Sequence, residues 1–232
     1  MIRIKELDFS YRKMSIFHSF NLDLYPEITV IMGENGVGKT TLFKLIVGAL
    51  KQTRGTIETE IDLSKAFSCL NEEGIYQNLT VKENIIFLRK LEGGKGWRQL
   101  TADENLWVER FKMEKYLNQL VKNLSTGLKK RAQFVTGLSR SPSLILLDEP
   151  TNGIDYETLQ MLKKEIKQLN NKKVPILVIT HDLKFCYEVA DRIIFMENGE
   201  VMIDEKTSRY SNLDEFEKNY ASRMLKVKEN LA

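Results

Sequence analysis

The stretch that decides the fold is ITVIMGENGVGKTT, residues 28–41. Its first five residues are apolar or β-branched, which predicts a short strand buried on both faces that ends at Gly33. Residues 33–40 then fit the spacing G-x-x-x-x-G-K-S/T, and apolar residues at helical spacing predict a helix over 41–50. The stretch is therefore expected to form a strand, a glycine-rich loop and a helix in direct succession.

A loop of this composition can hold a polyphosphate. Gly36 and Gly38 let the backbone approach phosphate oxygens, and the N–H groups of residues 36–41 can converge on them beside a positive helix end. Lys39 is expected to reach the β- and γ-phosphates, and the Thr40 hydroxyl to ligate Mg²⁺. The expected phosphate-binding residues are Gly33, Glu34, Asn35, Gly36, Val37, Gly38, Lys39, Thr40 and Thr41.

Composition excludes several classes of protein. Of the 232 residues, 42% are hydrophobic and 29% are charged, which is typical of a globular chain. No apolar run approaches the roughly 18–20 residues that span a bilayer, and the first residues lack the apolar segment of a secretory signal. The two cysteines, Cys69 and Cys186, rule out a disulfide framework and favour a reduced cytosolic compartment. The net charge of +3 is too small to indicate nucleic acid as a partner.

Strands and helices alternate along most of the chain, which predicts an α/β fold with a mostly parallel sheet. Half-buried strands are expected near residues 2–7 and 20–24, and a hairpin at Asn198–Gly199. The middle segment differs, because helices are expected after the capping box Thr80–Glu83 and over 102–110, 111–120 and 129–138. We therefore predict one domain, with residues 1–79 and 140–232 as the α/β core and residues 80–139 as an inserted helical subdomain.

Polar residues follow two buried strands where ligands of parallel sheets bind. Asp148 and Glu149 end the strand Leu144–Leu147, and they are expected to hold the Mg²⁺ shell and to polarise the attacking water, respectively. His181 follows the strand Ile176–Thr180, which predicts an imidazole near the γ-phosphate. The alternatives are a plain helix cap for the carboxylates and a structural role for the histidine.

A second anion site is possible at Leu124–Leu128, which reads Leu-Ser-Thr-Gly-Leu. Ser125 and Gly127 precede a helix and offer a hydroxyl, free N–H groups and a positive helix end. The alternative is an ordinary helix cap followed by a solvated basic face over Lys129–Arg131, and local evidence alone favours that alternative.

Together these segments resemble the ATP-binding subunit of ATP-binding cassette (ABC) transporters over nearly the whole length. Residues 33–40 resemble the Walker A motif, Leu144–Glu149 the Walker B motif with its catalytic glutamate, and Leu124–Leu128 the signature motif. Residues 153–155 are similar to the D-loop, which assigns dimer coupling to Asp155. The resemblance also assigns the switch histidine to His181 and the aromatic residue that stacks on adenine to Tyr11.

This resemblance implies a P-loop NTPase with a mostly parallel core sheet, an N-terminal antiparallel β region and an inserted α-helical subdomain. The sequence departs from the family pattern at two places. Asn71 stands where the family usually has glutamine, one methylene longer, as a ligand of Mg²⁺ or of the attacking water. Thr126 and Leu128 replace glycine and glutamine of the signature, and they resemble variants in exporters of drugs, antibiotics and peptides.

The family implies a working assembly as well. Two chains, identical or related, would pair head to tail around two Mg-ATP, with each ATP between Lys39 of one chain and Ser125, Thr126 and Gly127 of the other. A polytopic membrane subunit encoded separately would hold the assembly at the inner face of the cell membrane. Ile75 and Tyr76 would either dock that subunit or belong to the local core.

Two other functions stay open at this point. One is an ATPase acting with a soluble scaffold, as in iron–sulfur assembly. The other is a nucleotide-binding regulator with weak turnover, for which Asn71 is the motivation.

Overall fold

The computed structural model describes residues 1–12, 14–70, 74–94, 96 and 98–230, with the side chains of the last helix described as far as Arg223. The chain divides into two compact units. The first unit comprises Met1–Ile61 and Pro175–Ala232, and the second comprises Asp62–Val174. Asn71, a predicted site residue, lies outside the described residues. The predicted boundaries of a helical insertion at 80 and 139 stay a prediction.

Strands and helices alternate as the sequence predicts, and their bounds follow in chain order. The strands are β1 (Ile2–Tyr11), β2 (Met14–Leu24), β3 (Ile28–Gly33), β4 (Arg54–Thr59), β5 (Ala66–Leu70), β6 (Leu144–Asp148), β7 (Ile176–Ile179), β8 (Arg192–Glu197) and β9 (Glu200–Lys206). The helices are α1 (Lys39–Ile46), α2 (Val81–Leu91), α3 (Ala102–Arg110), α4 (Thr126–Leu138), α5 (Tyr156–Asn171), α6 (Leu183–Val189) and α7 (Leu213–Asn230).

The first unit contains an antiparallel sheet in the order β2-β1-β4. This confirms the antiparallel β region near the N-terminus. The apolar residues of β1 that share the buried face are Ile2, Ile4, Leu7 and Phe9. The spacing from Ile4 to Leu7 breaks strict alternation because the strand register shifts there, and Glu6 has a φ of +45°. The shift returns Leu7 to the face of the core.

The same unit contains strands in the order β7-β3-β8-β9. The first three are parallel, and β9 is antiparallel to β8 after the predicted turn at Asn198–Gly199. Every residue of β3 and β7 is buried, as expected for strands covered on both faces. Helix α1 ends four residues before the predicted position 50, since Val47 leaves the helical conformation and Gly48 has a φ of +73°.

The second unit contains the parallel pair β5-β6 and helices α2 to α5. Helix α2 begins with the predicted capping box, in which Thr80 and Glu83 exchange side-chain to backbone hydrogen bonds. The predicted helix over 111–120 is wrong. Lys112 has a φ of +53°, which an α-helix cannot contain, and the segment holds only a single helical turn at Glu114–Tyr116.

Candidate functional site

The glycine-rich loop joins β3 to α1 as the sequence predicts. Its first residues, Glu34 to Gly36, are exposed, whereas Gly38 and Lys39 are buried. Gly38 precedes the first helical residue with a φ of +104°, a conformation that favours glycine. The loop therefore directs the N-terminus of α1, with its unsatisfied N–H groups and partial positive charge, toward an approaching anion. Thr40 is half-buried and Thr41 is buried in the first turn of α1.

Lys39 is the predicted phosphate-binding lysine, and the residue is only 6% exposed. Its Nζ donates hydrogen bonds to the carbonyl oxygens of Gly33, at 2.6 Å, and of Glu34, at 2.7 Å. Backbone carbonyls thus hold the ammonium group within the loop that it follows. A cation in this position, next to a helix N-terminus, is suited to bind a polyphosphate.

A cavity of about 490 Å³ adjoins the loop. One side is formed by Glu34 to Val37, and the remainder comes from β2 and from the turn between β8 and β9. The residues outside the loop carry no motif that predicts a site, although Asn198–Gly199 has the local signal of a turn. The lining residues outside the loop are Met14, Ser15, Ile16, Asn198 and Gly199.

Tyr11, the predicted adenine-stacking residue, ends β1 and pairs with Met14 of β2. Its side chain is 42% exposed, and its ring packs edge to face on Phe9 with 4.9 Å between ring centroids. Tyr11 is therefore the strand partner of Met14, which lines the cavity, and its ring keeps an exposed surface. Its role in stacking stays a prediction.

His181 occupies the same edge of the sheet as the loop. Strands β3 and β7 are parallel, and Ile31 pairs with Ile179, so that Gly33 and His181 both follow two residues later. His181 is exposed at this edge, while Thr180 before it is fully buried. Within the first unit the structure thus brings the loop and His181 to one strand-end edge, as the sequence predicts.

Asp148 and Glu149 lie in the second unit at the end of β6. Asp148 is only 7% exposed and pairs with Leu70 of the parallel strand β5. Glu149 follows with a φ of +46°, an uncommon conformation for a residue with a side chain. Asn71 directly follows Leu70 but lies outside the described residues. The meeting of these carboxylates with the glycine-rich loop around one ligand stays a prediction.

Ser125 caps helix α4, and its hydroxyl accepts a hydrogen bond from the N–H of Leu128 at 3.4 Å. The capping alternative is thus present, and in the first turn of α4 it leaves Thr126 exposed and Gly127 half-buried. The expectation of a solvated basic face is wrong for two of its three residues. Lys130 and Arg131 are buried, at 9% and 7% exposure, and their side chains reach the Cys69 thiol and the Thr158 hydroxyl, respectively.

Asp155 caps helix α5 and accepts a hydrogen bond from the N–H of Thr158 at 2.7 Å. This bond, with a further contribution from Arg131, lowers the pKa of the Asp155 carboxyl below its ordinary value. Arg131 had no role in the sequence analysis. No local signal in the sequence could have found it, because its partners Asp155, Glu157 and Thr158 lie 24, 26 and 27 residues later.

The family model described as ABC transporter matches residues 17–152, which is more than half of the chain. The ABC transporter ATP-binding protein NatA of Bacillus subtilis is 30% identical over 76% of this chain and 75% of its own length. The chain belongs to the ABC transporter family. It is an ABC ATPase, the nucleotide-binding part of a transporter.

This ABC ATPase covers different shares of the length of two further relatives. The lantibiotic transport ATP-binding protein SrtF of Streptococcus pyogenes is 28% identical over 94% of this chain and 96% of its own length. The uncharacterized ABC transporter ATP-binding protein YhaQ of Bacillus subtilis is 31% identical over 76% of this chain, but the chain spans only 61% of YhaQ.

Solved structures confirm the fold. The ATP-binding subunit of an ABC transporter superimposes with a TM-score of 0.81 over 94% of this chain and 98% of its own, at 21% identity. A dimeric bacterial ABC transporter cassette gives a TM-score of 0.76 over 89% of this chain and 99% of its own, at 26% identity. The predicted P-loop NTPase class with its mostly parallel sheet is thereby confirmed. Within the described ranges, no helix combines the length and the apolar composition needed to cross a bilayer.

Proposed function

We propose that this ABC ATPase is the motor of a transporter, pairing head to tail with a second copy or a related subunit and driving a separate membrane subunit. The observation that carries the proposal is the buried Lys39, whose ammonium group is held by loop carbonyls beside the N-terminus of α1. Burial costs Lys39 hydration that a solvent-exposed lysine would keep, and its position beside a helix N-terminus is suited to an anionic ligand. Binding of a polyphosphate accounts for it.

The nucleotide site would combine residues that bind the nucleotide with residues that catalyse its hydrolysis. Backbone N–H groups of the loop and Lys39 would bind the phosphates, and the ring of Tyr11 would stack on the base. Glu149 would orient and polarise the attacking water, with His181 and Asn71 assisting near the γ-phosphate.

The residues also suit magnesium. Thr40 offers a hydroxyl and Asp148 a buried carboxylate, and Mg²⁺ is usually held by one or two such protein ligands together with substrate phosphates. In the part of the chain that the structure describes, no group of three or more His, Cys, Asp and Glu side chains could hold a metal. Bound Mg²⁺ would neutralise charge on the phosphates. Asn71 would be a further ligand.

The second anion site explains why a dimer is proposed. The first turn of α4 presents Ser125, Thr126 and Gly127 for the phosphates of an ATP held by Lys39 of the partner subunit. ATP would then join the two chains, and its hydrolysis would release them. Asp155 would couple the two sites. Nothing in the chemistry of these residues calls for nucleic acid.

The cargo is proposed from similarity alone. The chain is similar over 94% of its length to an ATP-binding protein of lantibiotic transport, and this supports an exporter of peptide, antibiotic or lipid-like substrates. The chain would lie at the cytoplasmic face of the cell membrane through its membrane subunit. Tyr76 is the better docking candidate of the predicted pair, since it is 47% exposed and packs on Phe87, whereas Ile75 is 8% exposed and belongs to the local core.

The test is ATP binding, ATP hydrolysis and sedimentation of the purified chain with Mg-ATP, with its membrane subunit added for turnover. We expect Glu149→Gln to bind ATP normally, to lose at least about 100-fold in hydrolysis and to accumulate as a dimer. The exposed Glu200→Gln is the matched control and should behave as the wild type. Turnover that survives in Glu149→Gln would refute the catalytic assignment, and a soluble scaffold as the only activating partner would refute the transporter.

A further inference from the structure

The side chain of Arg131 joins two segments of the second unit, the N-terminal half of α4 and the first turn of α5. Arg131 lies on α4, in the second turn after Ser125, and its side chain is only 8% exposed. The partners of the guanidinium group all belong to the start of α5. One buried cation thus connects the helix of the signature motif to the helix that follows the D-loop.

The contacts use two sides of the planar guanidinium group. Its Nε donates to the Thr158 hydroxyl at 2.6 Å, and Thr158 is fully buried. Its Nη2 lies 3.2 Å from both carboxylate oxygens of Asp155 and 2.9 Å from Oε2 of Glu157. A lysine could not make this set of contacts, because one ammonium nitrogen cannot occupy both donor positions.

The backbone of the two segments also comes close together. A Cβ atom built on Gly153 would lie 3.0 Å from Cγ2 of Thr126, and one built on Gly127 would lie 3.7 Å from the carbonyl oxygen of Gly153. Gly153 therefore lets the D-loop approach the first turn of α4 closely, whereas a Cβ on Gly127 would make an ordinary van der Waals contact. Because Arg131 lies one turn farther along α4 and is bonded to the N-cap and first turn of α5, it fixes the spacing of this contact.

Asp155 is held on one side and open on the other. Its side chain is 58% exposed, although it accepts hydrogen bonds from both Arg131 and the N–H of Thr158. The carboxylate therefore has a surface available to another molecule while its orientation is set from behind. The same holds for Ser125, which is exposed at the start of the helix that carries Arg131.

We propose that Arg131 is a positioning residue that holds Ser125–Gly127 and Asp155 in a fixed relation, so that both meet the second ATPase subunit together. This rests on the proposed function, because the two segments need a fixed spacing only if one partner surface receives both. Arg131 touches neither the nucleotide nor the reacting atoms in this proposal. Its loss should reduce association of the two chains and leave ATP binding by a single chain intact.

The experiment compares two arginines in the Glu149→Gln background. Arg110 is the matched control, because its Nη1 donates to the buried Glu165 of the same helix α5 at 2.5 Å, away from the D-loop. Arg131→Met and Arg110→Met therefore each remove one guanidinium that is bonded to α5. The measurements are the melting temperature, the affinity of the monomer for a fluorescent ATP analogue, and the dissociation constant of the dimer formed with ATP.

We expect Arg131→Met to weaken the ATP-dependent dimer by about tenfold or more, the loss that one charge-assisted bond represents, with monomer affinity for ATP changed by less than about twofold. Arg131→Lys should restore little of the loss, since the forked geometry is missing. Arg110→Met should lower the melting temperature and leave the dimer unchanged.

Either of two results would overturn the proposal. One is a dimer of normal affinity in Arg131→Met, and the other is an equal loss of dimer affinity in Arg110→Met, which would indicate general destabilisation. If the Glu149→Gln chain with Arg131 intact formed no dimer with ATP, the proposed function itself would fail, and the inference with it.

Discussion

The ammonium group of Lys39 lies 2.6 Å from the carbonyl oxygen of Gly33, the residue that ends β3 and opens the glycine-rich loop. This bond closes the loop upon the lysine and fixes the cation near the N-terminus of α1. Because the charged group is already ordered before a ligand arrives, the entropic cost of binding is lower. The loop geometry therefore depends on the same side chain that is expected to bind phosphate.

Replacement of Lys39 tests this arrangement directly. We expect Lys39→Ala to weaken ATP binding by about 10- to 100-fold, since hydrogen bonds to a charged group are each worth roughly 1.5–3 kcal/mol. Titration with a fluorescent ATP analogue measures the change. Lys44→Ala, on the last turn of the same helix, is the control for charge and should bind normally. An unchanged affinity in Lys39→Ala would refute the phosphate-site assignment.

Gly38 should tolerate no side chain. A Cβ atom there would lie 2.7 Å from Cγ2 of Ile16 and 2.8 Å from Cζ of Phe17, at a φ of +104°. We expect Gly38→Ala to lower the free energy of unfolding by about 2–4 kcal/mol, through both backbone strain and overpacking. Gly36→Ala is the matched control, because its φ is +88° but its Cβ would meet nothing within 4 Å. Urea unfolding of both variants should show the larger loss for Gly38, and equal losses would contradict the overpacking.

Asn84 is predicted to be indispensable for the segment that precedes α2. It is fully buried, its Oδ1 accepts from the N–H of Tyr76 at 2.7 Å, and its Nδ2 donates to the carbonyls of Tyr76 and Thr80 at 3.0 and 2.9 Å. Asn84→Asp removes both donors, so we expect a loss of about 2–4 kcal/mol in unfolding free energy. The exposed Asn105→Asp should cost less than about 0.5 kcal/mol in the same assay. Similar losses in both would show that the buried amide bonds contribute little.

Asp155 should make stability depend on acid pH. Its pKa is lowered mainly by the N–H of Thr158 and further by the hydroxyl of Thr158 and by Arg131. A group with a lowered pKa contributes fully above its ordinary pKa of about 3.9, and that contribution is lost as the pH falls through the lowered value. We therefore expect wild type and Asp155→Asn to differ in unfolding free energy near neutral pH and to converge below about pH 3.9. A difference that is constant with pH would contradict the assignment.

The elements that the sequence predicted correctly have their signal within a few residues. The capping box joins Thr80 to Glu83, the turn at Asn198–Gly199 needs two residues, and the glycine-rich loop lies between an apolar strand and an amphipathic helix. In each case the hydrogen bonds or the preferred backbone angles are local. Strands β4 and β5 were not predicted, since the evidence for each is pairing with a distant strand, β1 and β6 respectively.

The predicted helix over 111–120 failed for the same reason. The apolar residues Phe111 and Met113 are both fully buried, and they flank Lys112, which has the left-handed conformation. Tertiary burial of the two side chains overrides the local preference for a helix. The choice between docking and core for Ile75 and Tyr76 was likewise open until their exposure was known.

Short motifs, each confined to one segment of the chain, identify the family and the order of its motifs, and they predict the residues that carry the chemistry. Tertiary structure alone decided that Arg131 is buried rather than solvated. Its partners Asp155 and Thr158 lie 24 and 27 residues later, and no local pattern states that a basic residue on α4 will meet a carboxylate and a hydroxyl at the start of α5. A charged side chain is buried where partners compensate for its lost hydration, and because the partners of Arg131 are distant in sequence, its role depends on the fold.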